Sequence, residues 1–229
     1  MSRRGFPVGK EKKNTIANSK LTALTDRLIR AALEPYGVSL GDAQVEAIRR
    51  YVSILLLWNQ KVNLTSLRST TEILGRHFGE SLFALAAVPV SSGRLADVGS
   101  GAGFPGLALK AVMPDLDVVL IESSSKKAAF LAEVARALGV RAEIHRGRFQ
   151  EFRLAAHSLD LVTARALGEL PSILKWARGT LKESGRVVLW LGTRDADRAS
   201  SSPCWTWQEP IPIPQSLRRV LLIGQPRIG

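Results

Sequence analysis

A single cysteine, Cys204, stands among 229 residues, so an internal disulfide is excluded, and thiolate zinc and iron–sulfur sites lack enough ligands. Long apolar runs are missing too. The longest, Val52 to Trp58 with Ser53 interrupting it, is far too short to span a bilayer, and no charged-then-apolar leader opens the chain. A cytoplasmic protein with no membrane partner is therefore expected, and a monomer is assumed. Negative charge is scarce as well: 20 Asp+Glu face 32 Lys+Arg, a net charge of +12 with an isoelectric point near 10.5. Such a surface attracts polyanions, with RNA or DNA the first class of partner and anionic membrane the second. Hydrophobic residues make up 45% of the chain, an ordinary share for a protein with a real core.

The first twenty residues carry Arg3, Arg4, Lys10, Lys12, Lys13 and Lys20 against Glu11 without apolar periodicity, and 1–20 reads as a flexible basic tail. It is either a tether to RNA phosphates or merely a solvated arm. Residues 21–90 read as a helical extension. Leu24, Leu28, Ala31 and Ala32 have helical spacing closed by Pro35 and Gly37. Ser39 with Asp42 suggests a capping box for a second helix bearing Val45, Ile48, Val52 and Leu55. After a turn at Asn63 to Ser66, a third helix over 71–87 places Ile73, Leu74, Phe78, Leu82 and Leu85 on one stripe.

From residue 91 to 229 short β-branched runs alternate with helical segments, the pattern of βαβ units on a parallel sheet. Strands are expected at 94–98, 117–121, 141–145, 159–163 and 186–191, and helices at 105–112, 125–138 and 170–181. With Pro203, Pro210, Pro212 and Pro214, residues 200–216 read as a loop, and 218–223 as a last, antiparallel strand. The fold class is doubly wound α/β, Rossmann-like, with an N-terminal helical extension.

The run Asp97-Val98-Gly99-Ser100-Gly101-Ala102-Gly103-Phe104-Pro105-Gly106 lies between the first strand and its helix. Glycines allow a tight turn and close approach to a ligand, and Pro105 suits a first helical position. A dinucleotide fingerprint needs glycine at the sixth place, where this chain has Phe104, so a nicotinamide oxidoreductase is disfavoured. Acidic-x-Gly-x-Gly-x-Gly instead resembles the first motif of class I S-adenosylmethionine-dependent methyltransferases. Glu122, 23 residues after Gly99, can accept the two ribose hydroxyls of either cofactor.

Further motifs narrow the resemblance. Trp58-Asn59-Gln60-Lys61-Val62-Asn63-Leu64-Thr65, Arg76-His77, the glycine loop, Lys126-Lys127, Phe130-Leu131 and Thr163-Ala164-Arg165-Ala166 occur in that order. Together they resemble the RsmG (GidB) family, whose members methylate N7 of a guanine in the decoding-region loop of bacterial 16S ribosomal RNA. The resemblance implies S-adenosylmethionine as cofactor, 16S RNA or the small ribosomal subunit as partner, and no metal. It implies cofactor contacts at Gly99, Gly101, Gly103, Phe104, Glu122, Phe149, Gln150 and Arg165. Candidates for positioning the RNA are Arg148, Arg165, Lys126, Lys127 and His77, with Arg136, Arg141 and Arg146 nearby in sequence.

Alternatives stay open at several of these. Arg165 can grip an anion or sit in a surface ion pair. The lysines can be a solvated helix face, and His77 a buried structural histidine. Trp58, Phe78 and Phe83 suit a core better than a base-stacking platform. The chain departs from the family's pattern in two places. Leu189-Trp190-Leu191-Gly192 stands where Leu-Lys-Gly is common, and the proline-rich end matches poorly.

N7 of guanine has a free lone pair at neutral pH, so alignment with the methyl donor suffices and no general base is expected. Accordingly, Thr163-Ala164-Arg165-Ala166 is unlike the Asn/Asp-Pro-Pro-aromatic motif of exocyclic amine methylation. Pro203-Cys204 resembles a carbon-5 nucleophile only superficially, since it falls beyond the fifth strand. Two competing functions remain: a small-molecule or protein methyltransferase on the same fold, and an RNA-associated protein that keeps the cofactor with little turnover.

Overall fold

The computed structural model describes residues 24–88, 92–165 and 168–227. The basic tail expected at 1–20 lies outside them. Helix α1 (Asp26–Leu33) leads into a 3-10 turn at Glu34–Tyr36, and α2 covers Asp42–Trp58. Thr25 caps α1, its hydroxyl accepting from the Leu28 N–H. The Ser39–Asp42 capping box does not form. Leu40 is buried in the core and its carbonyl accepts from Arg30, which holds the chain extended through Gly41. The first turn of α2 is closed instead by Gln44, whose Oε1 accepts from the Gly41 N–H at 2.7 Å.

Helix α3 follows the expected stripe but runs in pieces: Thr70–Glu72, a π-helical segment Ile73–Gly79, Glu80–Leu82 and Ala84–Ala87. The Tyr36 ring lies against the π segment so closely that a Cβ on Gly79 would sit 2.4 Å from it.

The sheet then assembles from β1 (Arg94–Val98), β2 (Asp117–Glu122), β3 (Glu143–Arg146), β4 (Leu159–Arg165) and β5 (Leu181–Gly192). Between them lie α4 (Gly106–Val112), α5 (Ser125–Leu138) and α6 (Leu170–Thr180). The strand order is β3-β2-β1-β4-β5-β8-β6, with β1 to β5 parallel and β8 (Arg219–Pro226) antiparallel to β5.

The stretch read as a loop at 200–216 is more ordered than its prolines suggest. Helix α7 (Thr193–Ser200) precedes β6 (Trp205–Trp207) and β7 (Ile211–Pro212), both paired with β8. Edge pairing tolerates Pro212, because a strand bonded on one side does not need every N–H. Trp205 and Ile213, buried to 2% and 1% exposure, anchor the segment.

Period-two alternation divides the core. Val118 and Leu120 of β2 join one apolar cluster with α4, α5 and the N-terminal helices, while Val119 and Ile121 join the other with α6 and α7. Both faces are covered, as a parallel sheet requires. Val45, Ile48, Val52 and Leu55 of α2 and Phe78 of α3 share their cluster with Leu107, Phe130 and Leu131. The helical segment thus packs on the same core as the sheet, and we propose that segments 21–90 and 91–229 fold as one cooperative unit. Among the described residues no helix is long and apolar enough to cross a membrane.

Candidate cofactor and substrate site

Strand β1 delivers the glycine loop to the carboxyl edge of the sheet, next to β2 and β4, where open α/β sheets place ligands. Gly99 and Ser100 donate their N–H groups to the Ile121 carbonyl at 2.9 and 3.0 Å, and Gly103 N–H closes a turn on Ser100 at 2.6 Å. Asp97, 1% exposed, anchors the loop from below. One carboxylate oxygen accepts from Thr163 Oγ1 at 2.8 Å and the other from the Gly106 N–H at 3.1 Å, at the start of α4. Burial pushes the Asp97 carboxyl up to about 6, against the pull of these hydrogen bonds.

Two glycines of the loop have different tasks. Gly101 (φ 56°) turns its Cα to open space, where a Cβ would meet only the Gly99 carbonyl at 3.7 Å. This is the cradle a ligand can enter. Gly103 (φ 85°) faces inward, and a Cβ there would lie 2.0 Å from Tyr51 Oη. That hydroxyl, fully buried on α2, donates to the Ala102 carbonyl at 2.6 Å. The role of Tyr51 was not legible in the sequence.

Phe104 is 6% exposed, its ring stacked between Tyr51 (5.3 Å, 14°) and His77 (4.5 Å, 10°). Its side chain is committed to packing, so any cofactor contact at this position falls to its backbone. His77 stacks there with Nε2 2.7 Å from Thr65 Oγ1. Burial first, then Arg165 and Arg76, lower its pKa to about 3, so the ring is neutral at physiological pH. The structural alternative for His77 matches these surroundings. The turn before it is organised by Asn59, not Asn63: Asn59 Oδ1 accepts from Leu64 and Thr65 N–H, and Nδ2 donates to the Thr65 carbonyl. Trp58 and Phe78 pack on Phe130 and Tyr51, as core residues.

Glu122 ends β2, with one oxygen accepting from Gly101 N–H at 2.9 Å and the other from Ser124 N–H at 2.7 Å. A carboxylate offers about four acceptor positions, so each oxygen keeps one for a ribose hydroxyl. The open face at Gly101 and these spare acceptors fit S-adenosylmethionine.

Phe149 is 9% exposed and packs edge-on against Trp176 at 5.9 Å, and Gln150 is exposed, donating to Glu169 at 3.1 Å. Lys126 and Lys127 lie in the first turn of α5, Arg146 ends β3 and Arg148 follows it, all at the carboxyl edge. Arg136, in the last turn of α5, and Arg141, ahead of β3, lie at the opposite edge and do not join them. Nearness in sequence misled there, because a crossover helix carries the chain back across the sheet.

Arg165 ends β4 with its side chain 15% exposed, so it is no surface ion pair. Its Nη2 donates to the Arg76 carbonyl at 2.7 Å and to Glu80 at 3.0 Å. Glu80, 1% exposed, also accepts from Arg219 on β8 at 2.6 Å, and its carbonyl accepts from Trp190 Nε1 at 2.7 Å. The sequence did not single out Glu80. Leu191, at the position where the family pattern has lysine, is 8% exposed, and the next residue, Gly192, pairs with Arg219.

Sheet order, glycine loop and acidic end of β2 together define the fold of the class I S-adenosylmethionine-dependent methyltransferases. The structure resembles a SAM-dependent methyltransferase from Aquifex aeolicus (TM-score 0.60, 13% identity, covering 72% of this chain and 97% of that one). It also resembles ribosomal protein L11 methylase from Lactobacillus delbrueckii subsp. bulgaricus (TM-score 0.56, 16% identity, 67% and 80% covered). Within that class, residues 44–204 match the family model GidB, rRNA small subunit methyltransferase G. Relatives named Ribosomal RNA small subunit methyltransferase G occur in Roseiflexus castenholzii, 40% identical over 171 residues and 71% of each chain. Another, in Halorhodospira halophila, is 34% identical over 180 residues, covering 77% of this chain and 83% of that one. The chain belongs to this family.

Proposed function

We propose that this protein transfers the methyl group of S-adenosylmethionine to N7 of a guanine in 16S ribosomal RNA, acting as a cytoplasmic monomer on the small ribosomal subunit or its RNA. The observation that carries the reading is the family match over residues 44–204, joined to a glycine loop whose Gly101 N–H donates to the Glu122 carboxylate. When bound, the cofactor supplies an electrophilic methyl group on sulfur.

The residues of this chain hold and orient. Backbone groups of Gly99, Gly101, Gly103 and Phe104 line the methionine side, Glu122 takes the ribose, and Phe149 with Gln150 flanks the adenine. Arg165, anchored by Glu80, presents positive charge beside the loop. Lys126, Lys127 and Arg148 face the RNA from the other side of the carboxyl edge. Guanine N7 attacks with its own lone pair, so catalysis rests on positioning, a contribution of about 7–11 kcal/mol in well-aligned systems. His77, neutral and sandwiched on Phe104, serves as a wall of the loop and not as a proton acceptor.

The test is to incubate the protein with tritiated S-adenosylmethionine and small subunits lacking the modification, then map the label by strand cleavage specific for 7-methylguanosine. Label confined to a protein or metabolite would sink this reading, as would cofactor binding with no label.

A further inference from the structure

A cavity of about 1200 Å³ runs along α6 and α7, from the carboxyl ends of β4 and β5 beside Leu170 to Arg178 and Gly179 at the opposite edge of the sheet. It is separate from the Gly101 cradle but close to it. Val98 pairs with Ala164, and Arg165 with Trp190, which puts the cavity one to two strand spacings, about 5–10 Å, from the strand that carries the loop.

Its lining is strongly cationic. Arg76, Arg165, Lys175, Arg178, Arg198 and Arg219 contribute to it, and among the described residues Asp195 is the sole lining carboxylate, 3.8 Å from Arg198. Glu80 beneath the wall is shared between Arg165 and Arg219, so one negative charge meets two guanidinium groups. Arg165 Nη1 and Arg219 Nε are buried without a hydrogen-bond partner among the described residues. Two guanidinium groups thus share one carboxylate at the cavity wall, leaving a net positive charge that an anion in the cavity would offset. The floor is different in kind: Leu174, Leu191 and Ala199 are apolar and lie at 7%, 8% and 2% exposure.

Cations around an apolar floor suit a nucleotide, with phosphate on the rim and base on the floor. The volume exceeds the roughly 300–1,000 Å³ of small-molecule pockets, and the cations are spread over α3, β4, α6, α7 and β8, which favours a polymer over a metabolite. We infer that this cavity binds the single-stranded RNA next to the target guanine, taking a flanking nucleotide and its phosphates. The inference rests on the functional reading above for the identity of the RNA, but its test does not need methyl transfer.

The probe is a fluorescent dodecamer of uridylate, which offers phosphates and bases but no guanine, titrated against the full chain at several salt concentrations. Lys175 and Arg178 lie exposed on α6, outside the cofactor cradle. The double variant Lys175→Ala/Arg178→Ala is expected to lower the logarithmic salt slope by about 1.4, or ~0.7 per lost phosphate contact on a single strand. Calorimetric affinity for S-adenosylmethionine is expected to stay unchanged, and the KM for small subunits to rise with kcat retained. The charge-preserving pair Lys175→Arg/Arg178→Lys is expected to restore the slope. Gly179 lines the cavity, and a Cβ there would meet nothing within 4 Å. Gly179→Phe is therefore expected to fill space without disturbing the fold, and to weaken the oligonucleotide by about tenfold through loss of one base site.

An unchanged slope in the double variant, together with unchanged affinity in Gly179→Phe, would overturn the inference. A wild-type protein that shows the salt slope, loses it in the variants and yet leaves small-subunit RNA unlabelled would overturn the functional reading and leave the cavity's role standing.

Discussion

The Tyr51 hydroxyl donates a 2.6 Å hydrogen bond to the Ala102 carbonyl, across 51 residues of chain, and so ties the second helix to the middle of the glycine loop. Removing it leaves a buried carbonyl without its partner. Tyr51→Phe is expected to cost about 1–3 kcal/mol in urea unfolding and to weaken S-adenosylmethionine through a looser loop. Calorimetry on the folded variant checks the second effect. Unchanged stability and affinity would show that the loop holds itself.

Gly101 and Gly103 should separate ligand binding from fold. Gly103→Ala drives a methyl group to within 2.0 Å of Tyr51 Oη at a φ of 85°, and a loss of about 4 kcal/mol or more is expected. Pairing it with Tyr51→Phe removes the clashing oxygen, so the double variant should be more stable than additivity allows. Gly101→Ala meets no such obstacle, and only the strain of its φ, about 1–2 kcal/mol, is expected. Its main effect should be on cofactor affinity. Gly99→Asp, which sets a carboxylate against the negative end of the cofactor, should abolish binding in a folded protein.

Glu80, itself 1% exposed, holds the guanidinium groups of Arg165 and Arg219. Glu80→Ala is expected to destabilise the protein by about 3–5 kcal/mol, since both arginines lose their counter-charge. Arg165→Ala leaves Arg219 in place and should cost less stability, while weakening the productive RNA complex by about 1.5–3 kcal/mol if a charged hydrogen bond is lost. Chemical denaturation and single-turnover rates separate the two.

Asp97 and His77 should tilt the pH dependence of stability in opposite directions. Asp97 titrates near 6 in the fold against an ordinary 3.8. Its protonation therefore stabilises the fold fully below about 3.8, and this is lost as pH rises through about 6. His77 titrates near 3 against an ordinary 6.5, so its neutral burial contributes fully above about 6.5 and is lost as pH falls toward 3. Asp97→Asn should make stability rise more steeply between pH 4 and 6 than in the wild type, and His77→Gln should make it rise less. Thermal midpoints across that range decide it, and parallel curves for all three proteins would show that neither group is shifted.

The methyl transfer itself should be indifferent to pH over the neutral range in single turnover, because guanine N7 is already unprotonated and His77 is already neutral. His77→Gln should be mild if the fold survives. A sigmoidal profile with a midpoint near the ordinary histidine value, lost in the folded variant, would reveal a proton transfer in the mechanism.

Much of this molecule follows from local pattern. Apolar periodicity marks α2 and the strands, and β1 and α5 have the boundaries that spacing alone suggests. The glycine spacing after β1 and the acid ending β2 mark the edge where we propose the cofactor binds, since close backbone approach and hydroxyl recognition need those residue types at those places. What the sequence could not reveal depends on contacts between distant segments. Phe104 carries a cofactor-loop address, yet its ring is clamped by Tyr51 and His77, 53 and 27 residues away. Arg165 ends a strand in any reading, but only packing of α3 and β8 brings Glu80 and Arg219 to it. The prolines after residue 200 suggest a loop, while strand pairing to β8 and the burial of Trp205 outweigh that local preference. Periodicity is written into neighbouring residues and can be read there. The partner of a buried charge or an aromatic ring is chosen when the sheet and its helices close on one another, and only the tertiary structure decides it.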